Sequence, residues 1–187
     1  MVSHMLSVVC LGAFMSLGVF AQPTRPPPKP IPPLVTATWE KLIGVWTADN
    51  SRFKGADEPT DVYAIEWKWG LGRQTLTGRL YGLREGEEVG TFWEFREFWH
   101  PGEGQVLTAQ FGAGGIYGVG PNEHRADGTS EMLQTFYDPS GLTTRVDHRS
   151  ELNGDVHITR SFDVGADGQW TPRREYIWKR GSPRSQK

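Results

Sequence analysis

The sequence predicts an all-β protein: an antiparallel meander of about ten strands closed into a barrel, with one short N-terminal helix. Three observations predict it. Turn-forming stretches recur along the chain, as GLGR, REGEE, PGEG, GAGG, DPSG, NG and GADG. The runs between them are rich in Val, Thr, Tyr, Phe and Trp, which suit a pleated, half-buried surface. Within those runs apolar and polar residues tend to alternate, as they do when one face meets a core and the other meets water.

The elements follow in order. Residues 1–21, MVSHMLSVVCLGAFMSLGVFA, contain no Asp, Glu, Lys or Arg, and their apolar run ends in Val19-Phe20-Ala21. This pattern predicts a signal peptide cut before Gln22, and so a periplasmic or secreted protein with no stable membrane insertion after cleavage. A membrane anchor is the alternative, but the run is short for a span of about 20 apolar residues. Cys10 is the single cysteine. Cleavage would leave a mature chain without a disulfide, a zinc-thiolate site or a cysteine nucleophile. Residues 22–35, opening with QPTRPPPKPIPP, read as a Pro-rich linker. A short helix is expected over 36–42, capped by Thr36 or Thr38. The barrel domain occupies 36–180, and 181–187 form a flexible tail. Strands are expected near 44–49, 62–69, 74–83, 89–100, 105–112, 115–120, 129–137, 142–152, 155–163 and 170–179.

Composition narrows the function classes. Hydrophobic residues make up 37 % of the 187 and aromatic residues 12 %, which suits a chain with a real core. Net charge is −2 and the basic residues are scattered, so nucleic acid is not an expected partner. No P-loop, dinucleotide fingerprint or nucleophile-elbow serine is present.

Loop lengths set register, and register sets faces. A four-residue GLGR loop pairs Trp69 with Gln74. A five-residue REGEE loop sets Leu80 opposite Phe92, and PGEG sets His100 opposite Gln105. One face then carries Ile65, Trp67, Trp69, Leu76, Gly78, Leu80, Phe92, Glu94, Arg96, Phe98, His100, Leu107 and Phe111. This apolar-rich face is read as the interior. The outer face carries Glu66, Lys68, Arg79, Trp93, Phe95, Glu97 and Trp99. In the second half, Leu133, Thr135, Tyr137, Val146, His148, Leu152, His157, Thr159, Trp170, Arg174, Tyr176 and Trp178 face inward. Asp147 falls opposite Arg160. Val156, Ile158 and Phe162 sit awkwardly outside, which calls for a bulge or a packed surface patch.

A barrel of this size can hold a ligand. Its expected lining combines aromatic Trp67, Trp69, Phe92, Phe98, Phe111, Tyr176 and Trp178 with polar Glu94, Arg96, His100, His148, His157 and Arg174. Buried charges must pair, meet water or meet a ligand. Apolar walls with a few converging polar groups suit a small molecule. The leading expectation is therefore a module that binds a small amphipathic or hydrophobic molecule. An enzyme using Glu94 or a histidine of the same cavity as acid or base, such as an isomerase, cyclase or hydrolase, is the second. A structural or interaction protein is the third, with Trp93, Phe95 and Trp99 as an outer patch for a homodimer or another partner. Glu94 with Arg96 or Arg174 also fits a purely structural ion pair. His148 and His157 share a face but bring no evident third ligand, so no metal is expected.

WEKLIGVW, residues 39–46, resembles the calycin barrels, the lipocalins and their relatives: a short helix leads into a Gly-x-Trp at the start of the first strand. The resemblance implies that Trp46 packs across the barrel floor against an arginine near the end of the last strand, Arg174 or Arg180. The later Thr-Asp-Tyr turn motif of lipocalins has no counterpart. IEWKWGLGRQTLTGRLYG and WEFREFWHP are more similar to uncharacterised bacterial exported proteins with lipocalin-like barrels. That likeness implies a cavity and no particular reaction. The haem-binding nitrobindin type carries a second glycine where GVWTADN has none, so haem is not carried over and no cofactor is expected.

Overall fold

Helix α1, Pro33–Leu42, sits under one end of the barrel and places Val35, Trp39 and Leu42 in the core at helical spacing. It begins before the expected residue 36, inside the segment read as linker. Pro33 stands in the first turn, where a missing N–H costs nothing. Neither threonine caps it. The Thr36 hydroxyl donates to the Pro33 carbonyl at 3.0 Å and that of Thr38 to the Leu34 carbonyl at 2.9 Å. These positions come from a computed structural model that describes residues 29–181. The expected signal peptide, residues 22–28 of the linker and all but one residue of the tail lie outside the described residues.

Among the described residues ten strands follow. They are β1 Gly44–Asp49, β2 Val62–Trp69, β3 Thr75–Arg84, β4 Glu87–His100, β5 Gln105–Gly112, β6 Tyr117–His124, β7 Thr129–Tyr137, β8 Thr143–Asn153, β9 Val156–Val164 and β10 Trp170–Arg180. Every neighbouring pair is antiparallel, and β1 closes on β10 to complete the barrel. That closing ladder is short, pairing Trp46 with Arg180 and Thr47 with Lys179. No described helix is long and apolar enough to cross a membrane.

Closure is clamped from outside by Arg180. Its guanidinium lies 4.3 Å from the centre of the Trp46 ring and donates to the Ile43 and Lys41 carbonyls at 2.8 and 2.7 Å. It also pairs with Asp155 at 2.8 Å. Arg180, not Arg174, thus takes the place that the Gly-x-Trp resemblance implied. The same cation meets the carbonyl end of α1, where positive charge is favoured. Trp46 donates to the Leu42 carbonyl at 2.7 Å, and it is buried with Trp39, Leu76 and Trp178. The core therefore sits at the helix end of the barrel, the floor.

The strands lie close to where the sequence puts them, but three of them, β4 from Trp93 onward, β5 and β7, show the opposite faces. The β3–β4 connection is not a five-residue loop. Arg84 pairs with Glu87 around Glu85 and Gly86, whose φ values are +53° and +89°. Positive φ at both central positions is the two-residue hairpin turn that matches strand twist. Two bulges on β4 then slip the register, between Gly82 and Leu83 and again between Leu80 and Tyr81. Leu80 pairs with Trp93 and Gly78 with Phe95. From Trp93 onward every β4 side chain is on the face opposite to expectation. The β4–β5 register itself is as expected, His100 against Gln105, so β5 is inverted with it.

Strand β7 is inverted for a similar reason. Asp138 accepts from the Ser140 and Leu142 amides and closes a loop one residue longer than DPSG, so Phe136 pairs with Thr144. Gln134 and Phe136 are buried in place of Leu133, Thr135 and Tyr137. A bulge between Pro172 and Arg174 turns Trp170 outward onto Phe162 at 6.0 Å, with Arg149 over its ring at 3.9 Å. That is the packed surface patch expected for Phe162. Asp147 pairs with Phe162 across the ladder and with the Arg149 guanidinium, not with Arg160. Trp69 faces Leu76, not Gln74.

Gly78 shows why register is tight here. A Cβ on it would lie 2.5 Å from the Trp67 ring. Gly78→Ala should destabilise the protein by roughly 1–3 kcal/mol through overpacking, while Gly55→Ala, which meets nothing within 4 Å, should stay within about 0.5 kcal/mol. Urea unfolding of the two variants checks this.

Candidate functional site

The barrel encloses a cavity of about 640 Å³, lined by Thr38 and Leu42 of α1 and by Glu58 and Arg174 among others. One side is aromatic. Tyr63, Trp67, Phe92, Phe95, Tyr176 and Trp178 line it, with Tyr63 edge-on to Phe92 at 5.6 Å and Trp67 tilted on Phe95 at 5.4 Å. The part of the wall formed by β5 and β6 is polar. Thr108, Gln110 and Asn122 line the cavity there. Gln110 donates to the Gln134 Oε1 at 2.7 Å and Gln134 to the Thr108 carbonyl at 3.0 Å, so the amides satisfy one another.

At the floor this polar side ends on a buried carboxylate. Glu97 is 5 % exposed. Its Oε2 accepts from the Trp39 Nε1 at 2.8 Å and lies 3.1 Å from the His124 Nε2; its Oε1 accepts from the Asn122 Nδ2 at 2.9 Å. Burial pushes the carboxyl upward, but the bonds from His124, Trp39 and Asn122 together outweigh it and hold Glu97 below the ordinary carboxylate value. Three elements meet on this one side chain: α1 through Trp39, β4 through Glu97 and β6 through Asn122 and His124. Two further atoms are left over. Asn122 Oδ1 and His124 Nδ1 are buried with no hydrogen-bond partner among the described residues.

The mouth has a second network. The Arg174 guanidinium pairs with both carboxylate oxygens of Glu58 at 2.7 Å, and Glu58 also accepts from the Tyr63 hydroxyl at 2.7 Å and the Asn50 amide at 3.1 Å. Asn50 accepts from the Tyr176 hydroxyl at 2.9 Å. Glu58 belongs to the β1–β2 loop, so this network ties that loop across to β10. Arg174 is the main reason that the Glu58 carboxyl is held down at about 2. Burial, with Glu58 beside it, raises the Tyr63 phenol well above its usual range.

Two histidines complete the lining. His148 on β8 and His157 on β9 both face inward, and burial lowers each to about 4. His157 is edge-on to Trp46 at 5.9 Å near the floor, whereas His148 lies higher, 6.3 Å from Phe136, with its Nε2 buried and unpartnered among the described residues. His148 pairs with Ser161, four residues from His157 on β9, or roughly 13 Å along the strand. The two cannot share one metal ion. No group of three or more His, Cys, Asp or Glu among the described residues could hold one.

Of the residues read from sequence as lining, the structure brings Trp67, Phe92, His148, His157, Arg174, Tyr176 and Trp178 to the cavity. Trp69 packs edge-on to Trp39 at 5.9 Å outside it. Glu94, Arg96, Phe98, His100 and Phe111 are on the outer face, because of the β4 bulges. Trp93, Phe95 and Glu97, expected outside, line the cavity, and Trp99 packs against the core with a buried Nε1. The outer patch expected from Trp93, Phe95 and Trp99 therefore does not exist. Arg174 does form the ion pair at a barrel end, with Glu58 in place of Glu94.

Asn122 and His124 escaped the sequence reading altogether. The sequence reading ends β6 at 120, yet the strand runs to His124 and the ladder to β7 lapses only at Gly120 and Pro121. The alternation Asn122, Glu123, His124 was the available signal.

Glu97→Leu should cost about 3–5 kcal/mol, since it leaves Trp39, Asn122 and His124 unpaired; Glu94→Leu should stay within about 0.5 kcal/mol. Denaturant titration at neutral pH compares them. The histidines also set a pH dependence. With folded values near 4 and unfolded values near 6.5, the unfolded chain binds more protons between these limits. Stability should be full above about pH 6.5 and fall towards pH 4, by on the order of 3 kcal/mol for each histidine. His148→Leu should flatten part of that slope, as urea midpoints taken across the range would show.

No family model matches the chain, and no curated protein matches it. Among solved structures it is similar to the crystal structure of Rv2717c from M. tuberculosis, at 13 % identity and a TM-score of 0.51, over 82 % of this chain and 100 % of that one. At that identity the likeness concerns the barrel fold alone.

Proposed function

We propose that this protein is an exported, lipocalin-like barrel that binds a small amphipathic or hydrophobic molecule. The observation that carries the reading is the cavity of about 640 Å³, aromatic along one part of its wall and polar along another, inside a closed barrel. Its volume lies within the usual range for small-molecule sites, roughly 300–1,000 Å³. The aromatic side would take the ligand's apolar body. The Gly44-Val45-Trp46 lead-in with Arg180 over the Trp46 ring supports kinship with the calycin barrels. The charge-free apolar segment 1–21 supports export to the periplasm or beyond.

A second reading is favoured by one specific observation. Glu97 and His124 form a carboxylate–imidazole pair inside the cavity, 3.1 Å apart. Such a pair can orient an imidazole as a general base. An enzyme of this kind would lose turnover on His124→Gln while retaining ligand.

Native mass spectrometry of the protein isolated from its own cells tests the binding reading. A bound mass of a few hundred daltons, lost on denaturation, is expected. Trp67→Ala with Phe92→Ala should weaken its retention at least tenfold. Persistent apo protein that also fails to take up apolar probes would overturn the reading.

A further inference from the structure

We propose that the closed end of the cavity, around Glu97, Asn122 and His124, receives a hydroxyl of the ligand as a hydrogen-bond donor. The inference rests on the binding function above and names the ligand's class: an alcohol or phenol with an apolar body, entering hydroxyl first. It follows from counting donors and acceptors at the floor. The Trp39 Nε1 is spent on Glu97. The Asn122 Nδ2 is spent on Glu97 at 2.9 Å and on the Thr108 hydroxyl at 3.4 Å. The His124 Nε2 faces the Glu97 carboxylate at 3.1 Å, which places the ring proton on that nitrogen. No donor of Trp39, Asn122 or His124 is left over; Trp99, whose Nε1 is buried and unpartnered among the described residues, packs on the core and does not line the cavity.

Two acceptors are. Asn122 Oδ1 and, in that tautomer, His124 Nδ1 are buried and unpartnered among the described residues, on side chains that line the cavity. The His124 side chain is 3 % exposed. Buried acceptors of this kind call for a donor brought in from outside the chain. A carboxylate or phosphate head brings none and would meet the Glu97 charge. An ammonium brings three N–H groups to two acceptors and leaves a buried donor unpaired. A hydroxyl's one O–H is accepted by Asn122 Oδ1 or His124 Nδ1, and no donor is left over. The arginines that line the cavity are paired already: Arg174 holds both oxygens of Glu58 at 2.7 Å, and Arg149, Arg160 and Arg173 face Asp147, Glu151 and Asp163.

The test uses the full chain and three probes of one shape: 2-naphthol, 2-methoxynaphthalene and 2-naphthoate, titrated by calorimetry and tryptophan quenching. 2-Naphthol should bind at least tenfold tighter than 2-methoxynaphthalene, which has the oxygen without the donor, and 2-naphthoate should bind weakest. In Asn122→Leu and in His124→Phe that preference should fall below threefold, with 2-methoxynaphthalene affinity little changed. The wild-type ranking needs no variant, so it stands even if one of them fails to fold. Equal binding of 2-naphthol and 2-methoxynaphthalene overturns the inference, as does tightest binding of 2-naphthoate or a preference that survives both substitutions. Those results would leave the apolar binding function intact. Failure of all three probes to bind would overturn both.

Discussion

Ten strands closed into a ring enclose more space than their own inward side chains can fill. Everything else in this molecule answers that constraint. α1 blocks one end and gives its apolar face, Val35, Trp39 and Leu42, to the floor. Trp46, Leu76 and Trp178 complete a core there. Above that core the barrel stays open inside, and each polar group facing the space has to find a partner or wait for one.

Most have found one, and the pattern of pairing separates structure from function. Gln110, Gln134 and Thr108 bond to each other, and the Glu58–Arg174 pair at the mouth is saturated by Tyr63, Asn50 and Tyr176. Such groups hold the wall and the β1–β2 loop in place. Glu97 does the same for the floor, since breaking one partner of a buried charge costs far more than the net value of the pair. Among the described residues the buried leftover side-chain atoms are five, of which Trp99 Nε1 and Asp147 Oδ1 belong to residues that do not line the cavity and three to residues that do. Asn122 and His124 carry two of these three beside Glu97, and His148 carries the third higher up. A closed wall that satisfies nearly all its own groups, and leaves specific acceptors unpaired in a cavity, is built to a pattern of binding and not to one of filling.

The fold was legible in the sequence because turn spacing and strand composition are local signals. Strands β1, β2 and β5 run between the expected residues, and β10 differs from expectation by one residue. The candidate site was half legible. Faces set by one intact turn, as in β8, β9 and the end of β10, came out right, and they brought His148, His157, Arg174, Tyr176 and Trp178 inward. Faces that depend on a bulge did not. A single extra residue on β4 inverts every side chain beyond it, so Glu97 was exchanged for Glu94, and Phe95 for Arg96. Nothing local announces that slip. Phe92 is the residue left out of the ladder there, whereas Gly90 at φ +145° adjoins the other bulge, at Val89. His124 lay beyond the expected end of β6 at 120, in a strand that carries Pro121 in its interior.

The most direct measurement is a crystal structure of the protein as it is isolated from its own cells, without added ligand. An ordered organic molecule lying on Trp67 and Phe92, with an oxygen within hydrogen-bond distance of Asn122 Oδ1 or His124 Nδ1, is the result expected. A cavity filled only by ordered water, or closed by side chains collapsed onto Glu97, would contradict a binding site there.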